Sequence, residues 1–64
     1  MKKLTENLEL GDIVSPAQRN SKEIIIFIER QPTESFDFVV TLNLSTGIET
    51  EWEFEHDEEN EVYQ

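Results

Sequence analysis

The sequence predicts an all-β fold: a small antiparallel meander of four to five strands, curled into a barrel and ending in an acidic C-terminal tail. Three observations predict it. Residues 24–28 read Ile-Ile-Ile-Phe-Ile, a β-branched and aromatic run too short for a stable helix. Residues 36–44 and 48–55 both alternate with period two, as strands with one buried face do. Between these runs stand turn formers: Gly11-Asp12, Pro16, Gln31-Pro32 and Ser45-Thr46-Gly47.

Taken in order, Leu8-Glu9-Leu10 alternates, Gly11-Asp12 turns, and Ile13-Val14 opens a short strand that Ser15-Pro16 ends. Residues 15–22 are polar and read as a loop. Residues 23–30 form the strongest strand, apolar on both faces, which suits a strand that bends and serves two packed layers. In residues 36–44 the even positions Phe36, Phe38, Val40, Leu42 and Leu44 form an apolar face. Ser45-Thr46-Gly47 makes a short hairpin loop, with Gly47 free to take a positive φ. In residues 48–55, Ile48, Thr50, Trp52 and Phe54 face inward, and Glu49, Glu51, Glu53 and Glu55 face outward. The expected core is Leu10, Ile13, Val14, Ile24, Ile26, Ile28, Phe36, Phe38, Val40, Leu42, Ile48, Trp52 and Phe54. A single domain spans 1–64, with ordered structure over about 8–56 and an acidic tail over 57–64, where Val62 and Tyr63 are candidates for a short closing strand.

With 64 residues there is room for one small core. The absence of cysteine removes any disulfide or thiolate metal site, and the lone His56 cannot build a histidine-rich one. No apolar run approaches the ~20 residues of a membrane span. The N-terminus has no apolar stretch behind its lysines, so it does not read as a signal peptide, and a cytoplasmic location is expected. The net charge is −10. Residues 1–32 hold all five basic side chains and five acids, whereas residues 33–64 hold ten acids and no Lys or Arg. Such a chain is repelled by nucleic acid and by anionic membrane and attracted to basic surfaces.

Catalytic signals are absent from the sequence. One histidine in an acidic tail makes no triad, and His56 reads as a solvated residue beside the last strand. Gly11 and Gly47 form no phosphate loop. Paired carboxylates abound, but a chain this short offers little room for a cleft that separates their pKa values. Residues 57–61 hold oxygen ligands without the spacing or central glycine of a calcium loop. No enzyme, no cofactor and no metal is expected.

The pattern Leu10-Gly11-Asp12-Ile13-Val14, then a loop, an apolar strand and the hairpin Ser45-Thr46-Gly47-Ile48-Glu49-Thr50-Glu51-Trp52 resembles small SH3-like β-barrels. Tiny members of that group are common among bacteriophage accessory proteins. The resemblance covers roughly residues 8–62 and implies a binding module without catalytic residues. Most aromatics here fall on inward positions, which departs from SH3 domains that line a proline-peptide groove.

Glu58, Glu59 and Glu61 of the tail add candidate partner contacts to the most informative surface feature, the ladder Glu49, Glu51, Glu53 and Glu55 continued by Asp57. Side chains at i and i+2 of a strand point the same way, ~6.8 Å apart, so these carboxylates would line up on one face. Two readings compete. The row serves solubility and blunts an edge strand, or it meets a basic protein surface, one version of this reading being imitation of the regular charges of a nucleic-acid backbone. The functional expectation is a non-enzymatic regulator or inhibitor of a nucleic-acid-handling protein. The alternative is an adaptor module that docks through apolar surface, its charge serving only solubility.

Overall fold

The computed structural model describes residues 1–16 and 21–63. Of the loop expected over 15–22, residues 17–20 lie outside the described residues, as does Gln64. Among the described residues there are six strands, β1 (Lys2–Leu4), β2 (Ile13–Val14), β3 (Glu23–Glu29), β4 (Phe36–Asn43), β5 (Glu49–Glu55) and β6 (Glu59–Tyr63), and a 3-10 turn at Thr5–Asn7. Every strand pairing is antiparallel, and the order is β1-β6-β2-β3-β4-β5. The fold is therefore all-β, as expected. It is an open sheet of six strands with β1 and β5 at its edges, not a closed barrel of four or five.

Two strands come from the chain ends: β1 is unexpected, and β6 extends the short closing strand expected at Val62 and Tyr63 back to Glu59. Residues 57–64, expected as a tail, contribute β6, which pairs with β1 through Lys2–Glu61, Lys3–Asn60 and Leu4–Glu59 and with β2 through Ile13–Tyr63 and Val14–Val62. Its acids do not prevent this because they alternate. Glu59 and Glu61 point to water, while Val62 joins the core and Asn60 is buried. The Asn60 amide donates to Thr5 Oγ1 at 3.0 Å and to the Lys3 carbonyl at 3.3 Å, which ties the N-terminal strand down.

The core is Leu8, Val14, Ile25, Val39, Phe54 and Val62, with Ile28 and Trp52 packed against it. Phe54 of β5 and Val62 of β6 share this cluster although three strands separate theirs in the sheet, so the sheet is strongly curled around one apolar centre. β3 serves both faces through a bulge. Its register shifts between Ile25 and Phe27, so Ile25 and Ile28 point inward while Ile24 and Phe27 point outward.

β4 is turned over relative to the expected core. Its odd positions Asp37, Val39 and Thr41 are buried, and Phe36, Phe38, Val40 and Leu42 lie half-buried on the opposite, outer face. The hairpin explains this. A three-residue loop at 45–47 would pair Leu44 with Ile48 and set the even faces of both strands together. Instead Asn43 Oδ1 accepts the amides of Ser45 (2.8 Å) and Thr46 (3.0 Å), and Thr46 Oγ1 accepts the Ile48 amide (3.2 Å). Gly47 closes the turn at φ 74°. This wider loop absorbs Leu44 and Ile48, which are 57% and 61% exposed, and pairs Leu42 with Glu49 and Val39 with Trp52. Residues opposite one another share a face, so a one-residue change of register exchanges every side chain of β4 between core and surface. Ile13 and Ile24 pair on the outer face as well, and Ile26 and Leu10 are exposed rather than core.

The polar residues that enter the core side of β4 are satisfied there. Thr41 receives the Trp52 indole N–H at 2.8 Å and donates to the buried Glu23 carboxylate. Asp37 accepts from Arg30, Gln31 and His56. Among the described residues, no buried side-chain nitrogen or oxygen lacks a hydrogen-bond partner.

Candidate functional site

Glu49, Glu51, Glu53 and Glu55 stand exposed on the outer face of β5, a strand at the edge of the sheet. Their spacing of ~6.8 Å follows from the strand itself. None of the four takes part in an ion pair among the described residues. The cations that are paired serve other acids: Lys3 holds Asp12 at 3.1 Å and Glu9 at 3.7 Å, Arg30 holds Asp37 at 2.8 Å, and the N-terminal ammonium holds Glu61 at 2.9 Å. Within ~5 Å of this row runs a second, apolar one. Phe36, Phe38, Val40 and Leu42 of β4 lie opposite Glu55, Glu53, Glu51 and Glu49 respectively.

The remaining candidate acids lie beyond the strand. Asp57 and Glu58 sit in the turn after β5, and Glu59 and Glu61 are exposed on β6, from which β2, β3 and β4 separate β5 in the sheet. The N-terminal ammonium beside Glu61 holds its carboxyl below the usual range. The structure thus aligns Glu49, Glu51, Glu53 and Glu55 on one strand, folds Glu58 back so that its amide bonds the Glu55 carbonyl at 3.1 Å, and carries Glu59 and Glu61 on β6.

His56 is not a solvated neighbour of the strand. Its Nε2 lies 2.8 Å from Asp37 Oδ1, and Arg30 Nη1 lies 2.8 Å from Asp37 Oδ2. Arg30 also donates to the carbonyls of Thr5 (3.0 Å) and Leu8 (2.7 Å). One guanidinium thereby ties the N-terminal segment to β4. A shallow depression of about 200 Å³ opens over this cluster, lined by Glu6, Arg30, Pro32, Asp37 and His56. Burial pushes the Asp37 carboxyl up, but the Gln31 amide, the Arg30 guanidinium and the His56 ring outweigh it and hold the pKa at about 2, against an ordinary 3.8. A depressed pKa contributes stability that is complete above the unfolded value and is lost as pH falls through the folded one. Asp37 should therefore contribute roughly 2 kcal/mol at neutral pH, and this should vanish between pH 3.8 and about 2. Acid titration followed by circular dichroism checks this: Asp37→Asn should flatten the transition in that window, and an unchanged curve would contradict the assignment.

Sequence reasoning found the glutamate row because alternation is legible in one strand. It missed the apolar row beside it, having placed those side chains in the core. The available signal was the run Asp37, Val39, Thr41, Asn43, whose small or turn-forming polar groups can bond inside a core or cap a hairpin.

Among the described residues, no group of three or more His, Cys, Asp or Glu side chains could hold a metal ion, and no helix is long and apolar enough to cross a membrane. Comparison with protein-family models, with curated proteins and with solved structures finds no match for this chain.

Proposed function

We propose that the protein is a non-enzymatic binding protein, a cytoplasmic regulator or inhibitor that engages a basic surface of a nucleic-acid-handling protein through the outer face of β5. The observation that carries this reading is the placement of four carboxylates in a row on an exposed edge strand, with no ion pair among the described residues. A row of like charges costs repulsion in the free protein and is relieved when cations arrive. It also steers a basic partner and raises the association rate. Its regular spacing offers a nucleic-acid-binding surface something like the backbone it normally meets. The resemblance of the Gly11-Asp12 and Thr46-Gly47 motifs to SH3-like accessory modules of bacteriophages supports a binding role and an origin of that kind.

The test compares two variants of equal net charge. One carries Gln at Glu49, Glu51, Glu53 and Glu55, and the other carries Gln at Glu6, Glu34, Glu58 and Glu59, which are exposed elsewhere. Both should fold. In titrations with polylysine at two salt concentrations, the β5 variant should bind more weakly, mainly through slower association, and with a shallower salt dependence. The second variant should stay close to the parent. Equal losses in both would reduce the row to general charge, and no loss in the β5 variant would end the proposal.

A second reading, an adaptor docking through apolar surface, is favoured by the outer face of β3, where Phe27 is 53% exposed and the bulged Ile26 39%.

A further inference from the structure

An antiparallel sheet with one face on the core normally turns polar side chains to water on the other. This sheet does so along β5 and β6 and at Lys2 of β1. On β3 and β4 the outer face carries the exposed Phe27 and the half-buried Ile24, Phe38, Val40 and Leu42, and among the described residues the elements packed most closely against β3 and β4 are their neighbours within the sheet. This apolar strip is bordered by carboxylates: the four glutamates of β5 along one side, and Glu29, opposite Phe38, on the other.

We propose that this face receives an amphipathic α-helix of a basic protein, laid along β4 with lysines or arginines on the flank that overhangs β5. The inference rests on the reading that the glutamate row meets a basic partner, and it adds the shape of the element that arrives. Three matches of dimension support it. From Phe36 to Leu42 the strand rises ~20 Å, which is the length of ~13 helical residues. A helix ~10 Å across spans two strands, so its apolar stripe would lie over β3 and β4 while one flank reaches β5. Helical side chains four apart recur every ~6 Å, close to the ~6.8 Å between successive glutamates. An extended strand added at the open edge of β5 would satisfy its backbone but leave the apolar side chains of β3 and β4 in water. A second copy of this chain brings another net charge of −10 and a second set of carboxylates to the same face.

The experiment titrates the isotopically labelled protein with three synthetic peptides. One is an amphipathic leucine–lysine helix of this length, one has the same composition scrambled, and one is lysine alone. Amide shifts map the contact, and circular dichroism reports peptide helicity. The amphipathic peptide should become helical on binding, move resonances of outer β3, β4 and β5, and bind at least tenfold tighter than the scrambled one. Phe27→Ser, at an exposed site that leaves the fold intact, should remove most of that advantage and leave binding of the lysine peptide unchanged. Equal binding of amphipathic and scrambled peptides would overturn helix docking while leaving the glutamate reading standing. Failure of all three peptides at low salt would defeat the glutamate reading itself. Shifts confined to the open edge of β5 with an extended peptide would overturn the proposal in favour of strand addition. Concentration-dependent self-association abolished by Phe27→Ser would overturn it in favour of a second copy.

Discussion

Asp37→Ala should leave the domain largely unfolded at neutral pH. The carboxylate is 2% exposed and accepts from Arg30 (2.8 Å), the Gln31 amide (2.9 Å) and His56 (2.8 Å). Truncation strands all three donors beside a cavity. It also removes the counter-charge of a guanidinium that holds the Thr5 and Leu8 carbonyls. Breaking a buried ion pair by deleting one partner costs roughly 3–5 kcal/mol, and Arg30 is partly in water, so about 3 kcal/mol is expected here. Domains of this size rarely hold more than about 3–5 kcal/mol in total. A thermal melt followed by circular dichroism should show little or no folded baseline, and a variant melting with the parent would show that the cluster is ornamental.

Phe54→Ala should cost about as much, by another mechanism. Phe54 is a buried member of the core, opposite Asp37 in the hairpin and tilted against Trp52 at a centroid distance of 6.4 Å. Deleting a buried aromatic ring costs roughly 3–5 kcal/mol through lost transfer energy and the cavity left behind. Phe38→Ala provides the contrast. Phe38 lies on the outer face against Phe36, ring centroids 5.2 Å apart, and its loss should cost only about 1 kcal/mol of partial burial. Urea titrations of the two variants should therefore diverge sharply. Equal destabilisation would place both rings in one core, which the hairpin register forbids.

The legible and illegible parts of this fold divide along one physical line. Within β5, glutamate at each odd position leaves only one face that can be buried, so its orientation is plain from residues 48–55. β4 is ambiguous because its even row is wholly apolar, while its odd row contains Asp37 and Thr41, which normally mark the wet side. Those two are buried because distant residues meet them: Arg30 and His56 at Asp37, Glu23 and Trp52 at Thr41. Local pattern cannot show such partners. The decisive local detail is Asn43, whose side chain shapes the loop and shifts the register by one residue. Only the Val62-Tyr63 end of β6 is legible for a related reason: β1, one of its two neighbours in the sheet, lies at the opposite end of the chain. The position of the glutamates at a sheet edge likewise depends on strand order, which periodicity does not encode.

The proposed docking face requires the apolar row of β4 to point away from the core, and nuclear Overhauser contacts to the Trp52 indole read this directly. Val39 lies opposite Trp52 on the inner face, and Val40 lies opposite Glu51 on the outer one. Strong cross-peaks are expected from the Val39 methyls to the indole ring, with none from the Val40 methyls or the Phe38 ring. Cross-peaks from Val40 or Phe38 to the indole, with Val39 silent, would return that row to the core and abolish the apolar strip beside the glutamates.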